Sequence, residues 1–214
     1  MPETGTGTSL TAENLPPPVA SKDAAWIRVP TPFTAAELAA LCREPEVLFR
    51  INPYYYFKRW AQTGPTTYHA EFDNHSNQQH LSLDLAVTRE PGRGFQVVYG
   101  QGVKRRTVFS IEQTPQGSYL CVTDDYEGLP EEERARREAE VDKSLPAWGE
   151  ALRVYFKRMK RWSWLPGWRW YMRRLWIPMK PSARRIVWLL YVITVAEFFF
   201  FLFVLLIFVL QQNR

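Results

Sequence analysis

The feature that most constrains this chain is a run of 25 largely apolar residues, Ile186 to Leu210, in its C-terminal part. A helix of that length extends to about 37 Å at about 1.5 Å per residue, which exceeds the ~30 Å hydrocarbon core of a bilayer. A helix buried in a soluble core normally keeps a polar face, and residues 198–210 have none. The sequence therefore predicts one tilted transmembrane helix at 186–210.

The charges around this run predict its orientation. Lys180, Arg184 and Arg185 precede it, whereas Arg214 alone follows it. Because Lys and Arg flanking a span favour the cytoplasmic side, we expect a single-pass membrane protein whose N-terminal domain is cytoplasmic. The short tail 211–214 would reach the other side, and insertion would follow synthesis, as in tail-anchored proteins.

One acidic residue, Glu197, lies near the middle of the run, where an ionised carboxylate costs at least about 2.5 kcal/mol. Three interpretations remain open: a contact with a helix of another transmembrane protein, a neutral glutamate facing lipid, and proton or ion transport. One span cannot enclose a transport pathway, and Thr194 and Tyr191 precede Glu197 at one-turn intervals. We predict that Tyr191, Thr194 and Glu197 form a partner-helix contact.

The segment 163–185, just before the span, interleaves tryptophan with basic residues. From Arg153 to Arg185 there are eleven Lys/Arg and no Asp/Glu, whereas residues 1–152 hold fifteen basic and twenty-one acidic residues, a net −6. Such a stretch can bind single-stranded nucleic acid, but the adjacent span favours an anionic lipid surface and no nucleic acid partner. We expect an interfacial collar, jointed by prolines, with these membrane-interface residues: Trp162, Trp164, Trp168, Trp170, Arg173, Arg174 and Trp176.

The N-terminal segment and the cysteines give weaker indications. Residues 1–24 lack the basic and apolar regions of a secretory signal and are rich in Thr, Gly and Pro, so we expect a disordered lead-in. Cys42 and Cys121 have no CxxC spacing, which predicts buried, reduced thiols and no structural metal.

Residues 25–162 predict a mixed domain. A strand from Trp26 to Phe33 is followed by two short helices, with Thr34 as N-cap and Pro45 opening the second. Six segments with period-two alternation, separated by turn residues, then predict a meander of antiparallel strands. In one of them Leu81, Leu83, Leu85 and Val87 alternate with Ser82, Asp84 and Ala86. A long helix is predicted from Pro130 to Trp162, and its apolar stripe needs a large apolar partner, for which the sheet is the candidate.

This order of elements, together with the stretch "PEVLFRINPYYYFKRW", resembles the helix-grip superfamily of START, polyketide cyclase and pollen-allergen proteins, often called SRPBCC. The resemblance implies an α+β fold in which a curved antiparallel sheet surrounds the C-terminal helix and leaves a hydrophobic cavity. The residues expected to line it are Tyr55, Phe57, Leu83, Leu85, Val97, Tyr99, Cys121, Trp148, Leu152, Tyr155 and Phe156.

The resemblance, the membrane span and Glu197 together leave three functions open. The leading hypothesis is a membrane-tethered protein that binds a lipid, quinone or similar hydrophobic small molecule and carries or presents it at the membrane. The alternatives are an accessory subunit that docks through Glu197 and the span, and an enzyme of the polyketide cyclase or aromatase kind. No cofactor is expected, and no catalytic residue is assigned. His69, His75 and His80 surround a polar turn, and Gly100-Gln101-Gly102 lacks the context of a phosphate loop.

Overall fold

The computed structural model describes residues 23–90, 92–115, 117–126 and 141–212. The chain forms two compact units, Met1–Arg169 and Trp170–Arg214, and each is described by itself. The predicted lead-in 1–24 lies almost entirely outside the described residues.

The first unit contains one antiparallel sheet of seven strands in the order β1-β7-β6-β5-β4-β3-β2. Consecutive strands from β2 to β7 are neighbours, as predicted for a meander, and β1 pairs with β7. The strands are β1 (Ala24–Thr31), β2 (Tyr55–Gln62), β3 (Thr67–Asn74), β4 (Gln79–Glu90), β5 (Gly94–Tyr99), β6 (Arg106–Thr114) and β7 (Gly117–Asp125).

Two short helices, α1 (Ala35–Leu41) and α2 (Pro45–Ile51), connect β1 to β2. The predicted cap of α1 is confirmed: Glu37 N donates to Thr34 Oγ1 at 3.2 Å, and Thr34 N donates to Glu37 Oε2 at 2.9 Å. Pro45 opens α2, as predicted, where its missing N–H is no loss.

The long helix α3 spans Leu145–Arg161 and begins later than predicted. Residues 141–144 are not helical, and 130–140 lie outside the described residues. The cause is Asp142, whose Oδ1 accepts from Ser144 N at 2.9 Å and holds the chain in a turn. Pro146, in the first turn of α3, is the sequence signal for this start.

The inner face of the sheet packs against α3. Trp148 is fully buried, and its ring centroid lies 5.3 Å from that of Phe49 and 5.5 Å from that of Phe109. Its indole Nε1 donates to Leu48 O at 2.9 Å, so its polar atom is satisfied. Gly149 lets α3 approach β1 closely, because a Cβ there would lie 2.3 Å from Ile27 Cδ1. The predicted α+β helix-grip class, a curved antiparallel sheet around a long helix, is confirmed.

The second unit ends in a single long helix. The helical turn α4 (Trp168–Tyr171) leads into it from the first unit, and a π-helical turn follows at Met172–Trp176. The helix α5 (Pro181–Gln212) is apolar on all sides over most of its length. Within it, Ser182–Gln212 is a candidate membrane span by length and composition.

Arg184 ties the start of α5 to the preceding turn. Its guanidinium donates to the carbonyl oxygens of Trp176 at 2.9 Å and Ile177 at 2.7 Å. A cation at the end of a helical segment is favourable there, because the last carbonyls have no partner within their own helix.

Candidate functional site

A pocket of about 370 Å³ opens at one end of the sheet in the first unit. One part of its wall is apolar, with Phe72, Leu81, Leu83 and Val103. The other part is polar and is built around Lys104. Exposed residues such as Ser82 and Gln101 border its mouth. The pocket therefore offers one molecule both an apolar and a polar contact.

The polar wall is formed by a buried ammonium held between two carboxylates. Lys104 Nζ donates to Asp124 Oδ2 at 2.7 Å and to Asp142 Oδ2 at 2.8 Å. It also donates to the Tyr55 hydroxyl at 3.3 Å, so all three of its N–H groups have an acceptor. The side chains of Lys104, Asp124 and Asp142 are 12%, 0% and 5% exposed. We call Lys104, Asp124 and Asp142, with the tyrosines and threonine that contact them, the Lys104 cluster.

Chain geometry at this end of the sheet brings the cluster together. Tyr55 is the first residue of β2, and Asp124 is the penultimate residue of β7. Lys104 lies in the β5–β6 loop, which is closed by hydrogen bonds from Tyr99 N to Arg105 O and from Arg105 N to Asp125 O. Gly102 in this loop has φ +107°, a conformation that favours glycine.

Both carboxylate oxygens of Asp142 accept more than one hydrogen bond. Its Oδ1 accepts from Ser76 Oγ at 2.9 Å, Ser144 N at 2.9 Å and Asn74 Nδ2 at 3.3 Å. Its Oδ2 accepts from Lys104 and from the hydroxyl of Tyr55. This one carboxylate thereby joins β2, the β3–β4 hairpin, the β5–β6 loop and the start of α3.

Asp124 accepts fewer hydrogen bonds than Asp142. Thr107, its partner in the β6–β7 register, donates to Asp124 Oδ1 at 2.5 Å. The hydroxyl of Tyr99 lies 2.8 Å from Thr107 Oγ1, and because the threonine proton is used on Asp124, Tyr99 is the donor in that pair. The Tyr99 oxygen therefore retains its acceptor capacity.

Burial and charge set the protonation states. Burial would lower the pKa of Lys104, but Asp124, Tyr55 and Asp142 outweigh it and hold that pKa well above its ordinary value. Burial would raise the pKa of Asp142, but Lys104 outweighs it and holds that pKa well below the ordinary range. Burial raises the pKa of Asp124 and, well above its usual range, that of Tyr55. Lys104 is therefore a cation, and the phenols are neutral donors.

A further phenol, Tyr126, also borders the pocket. It is 9% exposed, and its buried hydroxyl makes no hydrogen bond of good geometry with a described residue, although the backbone of Asp142 lies close to it. A buried hydroxyl without a partner costs free energy, so such groups often mark a ligand or water position.

The predicted cavity residues fall into three groups. Three of them, Tyr55, Leu83 and Tyr99, border the pocket. Cys121 lies instead on the outer face of β7, paired with Arg28 of β1 and Ser110 of β6, where burial and then Glu112 raise the pKa of its thiol to about 12. Alternation places Leu120 and Val122 on the inner face in its stead. The others are buried in the packed interior: Phe57, Leu85, Val97, Trp148, Leu152, Tyr155 and Phe156.

The sequence patterns did not indicate Lys104, Asp124, Asp142 or Tyr126 as site residues. The helix predicted from Pro130 to Trp162 included Asp142, which lies in the turn before α3. One signal was available: Asp124 and Asp125 are consecutive in a strand, so one of them must face inward and needs a counter-ion.

The residues predicted to meet the membrane are mostly exposed within their own units. Trp164 and Trp170 are 71% and 62% exposed, and Arg173 and Arg174 are exposed. Tyr191, Thr194 and Glu197 are exposed on α5. Their roles as interface and partner-helix residues stay predictions.

The histidines lie among carboxylates and aromatic rings. His69 Nδ1 is 2.8 Å from Asp84 Oδ1, and His80 Nδ1 is 2.7 Å from Asp73 Oδ1. The His75 ring stacks on Tyr56 at 4.2 Å. Among the described residues, no group of three His, Cys, Asp or Glu side chains is arranged to hold a metal ion.

Comparison with known proteins gives likeness of fold alone. No family model matches the chain, and no curated protein matches its sequence. A Deinococcus radiodurans protein is 13% identical over 65% of this chain and 98% of its own, with a TM-score of 0.46. A polyketide-cyclase-like protein of Corynebacterium glutamicum is 16% identical over 65% and 92% of the two chains, with a TM-score of 0.36.

The di-domain ARO/CYC protein StfQ from the steffimycin biosynthetic pathway is 11% identical over 64% of this chain and 45% of its own, with a TM-score of 0.41. Identities and TM-scores this low support no inference about ligand or activity.

Proposed function

We propose that this chain is a membrane-anchored binding protein that holds a small amphiphilic molecule in the pocket at the end of its helix-grip sheet. One observation carries the proposal: the pocket joins an apolar wall to a buried, ordered polar cluster. Ligand pockets combine apolar lining with a few well-placed polar groups, and they measure about 300–1,000 Å³.

The volume of the pocket limits the size of the ligand that it can hold. At about 370 Å³ the pocket is near the lower end of that range, which suits one ring system or one short chain. The space between the sheet and α3 is filled by Trp148, Leu152 and Phe156, each 0% exposed. A ligand therefore occupies the end of the sheet rather than its centre.

The anchor is the second part of the proposal. The candidate span Ser182–Gln212 would keep the binding domain at a bilayer, where apolar molecules concentrate. The Trp- and Arg-rich collar would settle in the headgroup layer, since each basic residue near an anionic leaflet contributes about 1 kcal/mol.

The protonation states in the Lys104 cluster do not favour the alternative that the protein is an enzyme. With Lys104 held as a cation and Tyr55 as a neutral phenol, neither group is a ready base. Ligand binding is the function that the described chemistry favours.

Native mass spectrometry of the full-length protein, released from membranes in polymer particles, tests the binding. We expect a small molecule to be retained by the natural protein and lost from Leu81→Trp, which fills the pocket from its half-buried wall. Ala86→Trp is the matched control, because it adds the same ring to the exposed face of the same strand. Retention of the same molecule by Leu81→Trp would refute the pocket as its site.

Extraction of membranes at alkaline pH tests the anchor. The full chain should stay in the membrane pellet, and a chain ending at Lys180 should be released. Release of the full chain would contradict the anchor and leave the binding proposal intact.

A further inference from the structure

The charge of the Lys104 cluster restricts what the pocket can bind. One ammonium faces two carboxylates, so the cluster has a net charge of +1 − 2 = −1 when both acids are ionised. When Asp124 is protonated, the net charge is zero. In neither state does the cluster have a surplus positive charge for an anion.

The rest of the wall adds no free cation among the described residues. Apart from Lys104, His80 is the only described residue on the wall that can carry a positive charge. His80 Nδ1 lies 2.7 Å from Asp73 Oδ1, and its Nε2 lies 3.6 Å from Glu71 Oε1. A carboxylate or phosphate entering this pocket would lose its water without gaining a counter-ion, which is costly.

The hydrogen-bonding capacity left on the polar wall suits a hydroxyl group. Among the described residues, the donors of Lys104 are used within the cluster, and the oxygens of Asp142 already accept from five protein donors. The buried Tyr126 hydroxyl makes no hydrogen bond of good geometry with a described residue, and the Tyr99 oxygen can still accept. Because a ligand hydroxyl is both donor and acceptor, it can accept from the Tyr126 phenol or donate to the Tyr99 oxygen, both of which border the pocket.

We infer that the pocket selects an uncharged molecule bearing a phenolic or alcoholic hydroxyl on an apolar frame, and that it excludes carboxylates and phosphates of the same shape. This inference rests on the proposed binding function and adds the ligand class. Tyr126 acts as a specificity-determining residue, which donates to the ligand oxygen or accepts from its hydroxyl.

Three probes of one shape test the selection: 2-naphthol, 2-naphthoate and naphthalene. Their binding to full-length protein in polymer particles is measured by equilibrium dialysis at pH 7.5, with protein-free particles correcting for uptake by lipid. We expect 2-naphthol to bind at least tenfold more tightly than 2-naphthoate, and Leu81→Trp to abolish the binding of 2-naphthol.

Tyr126→Phe tests the hydroxyl contact. Because the Tyr126 hydroxyl makes no hydrogen bond of good geometry with a described residue, its removal should not destabilise the fold. The variant should bind 2-naphthol about twofold to tenfold more weakly, the range for one neutral hydrogen bond, and naphthalene unchanged. Tyr54→Phe, at an exposed residue outside the pocket wall, is the matched control.

The outcomes separate the two proposals. If the probes bind in a manner sensitive to Leu81→Trp but 2-naphthoate equals or exceeds 2-naphthol, the selectivity is refuted and the binding function stands. If the selectivity appears but Tyr126→Phe leaves it unchanged, the role of Tyr126 is refuted. If no probe binds at the pocket, both the binding function and this inference fail.

Discussion

Lys104→Met should destabilise the domain strongly at neutral pH and much less in acid. Methionine keeps most of the apolar stem but removes the ammonium that neutralises two carboxylates, which are 0% and 5% exposed. Removing one partner of a buried ion pair costs about 3–5 kcal/mol. In the variant, the Asp142 carboxylate would still accept hydrogen bonds from three donors besides Tyr55. The loss of stability should therefore lie near the lower end of that range. At about 2–4 °C per kcal/mol for a domain of this size, the melting temperature should fall by roughly 6–20 °C.

The pH dependence distinguishes charge from packing. In the natural protein the folded pKa of Asp142 lies below its ordinary value of 3.8, so its contribution is present at neutral pH and is lost as the pH falls below that value. Without Lys104, burial should raise the folded pKa of Asp124 and Asp142. A carboxyl group whose folded pKa is raised costs stability as the pH rises above its ordinary value, so the variant should approach the natural protein as the pH falls toward 3.8.

Thiol accessibility provides the assay. The chain has two cysteines, Cys42 and Cys121, which are 4% and 1% exposed and both lie in the first unit. Their reaction with 4,4′-dithiodipyridine in increasing urea reports unfolding of this unit, independently of the apolar helix. Lys58→Met is the control, because the pair of Lys58 with Asp73 is exposed and screened by solvent, and its loss should leave the stability nearly unchanged. A loss below about 1 kcal/mol for Lys104→Met, or a loss that does not change with pH, would refute the reasoning.

Three further predictions concern the packing of α3 and the apolar helix. Gly149→Ala should destabilise by about 1–3 kcal/mol despite the better helix propensity of alanine, because its Cβ meets Ile27, and the same substitution should cost much less when it is made in an Ile27→Ala variant, both measured by thiol labelling. Trp148→Phe should cost about 1–3 kcal/mol in the same assay, since the carbonyl of Leu48 loses its indole donor; no measurable loss would contradict this. Glu197→Leu should abolish co-purification of a specific membrane protein and Glu197→Gln should preserve it, and unchanged recovery with Glu197→Leu would refute a partner-helix contact.

The order of elements could be predicted from the sequence because the signals for it are local. Alternation in β4 gives the buried face directly, with Leu83, Leu85 and Val87 buried as expected. The cap at Thr34 needs only the glutamate three residues later. Such patterns require no knowledge of which strand lies beside which.

The polar cluster could not be predicted in this way because its contacts are distant in sequence. Lys104 is 20 residues from Asp124, 38 from Asp142 and 49 from Tyr55. A charge in a basic-looking turn is ordinarily solvated, and only the closed loop between Tyr99 and Arg105 directs Lys104 inward. The prediction that Cys121 lines the cavity was wrong for a related reason. Alternation along β7 gives two faces, and the sequence alone did not show which of them is the inner one.

The position of β1 at the edge of the sheet has a consequence for how the protein is made. Among the described strands β1 is synthesised first, and its partner β7 and the helix α3, which covers Ile27, follow about one hundred residues later. Pairing at such separation is slow, and until it occurs β7 has an open edge to which other chains can bind. Only 19 residues lie between Arg161 and Pro181, so the apolar helix follows directly after the element that completes the domain. Within a short stretch of synthesis the new chain therefore exposes two aggregation-prone surfaces, the open edge of β7 and the apolar helix.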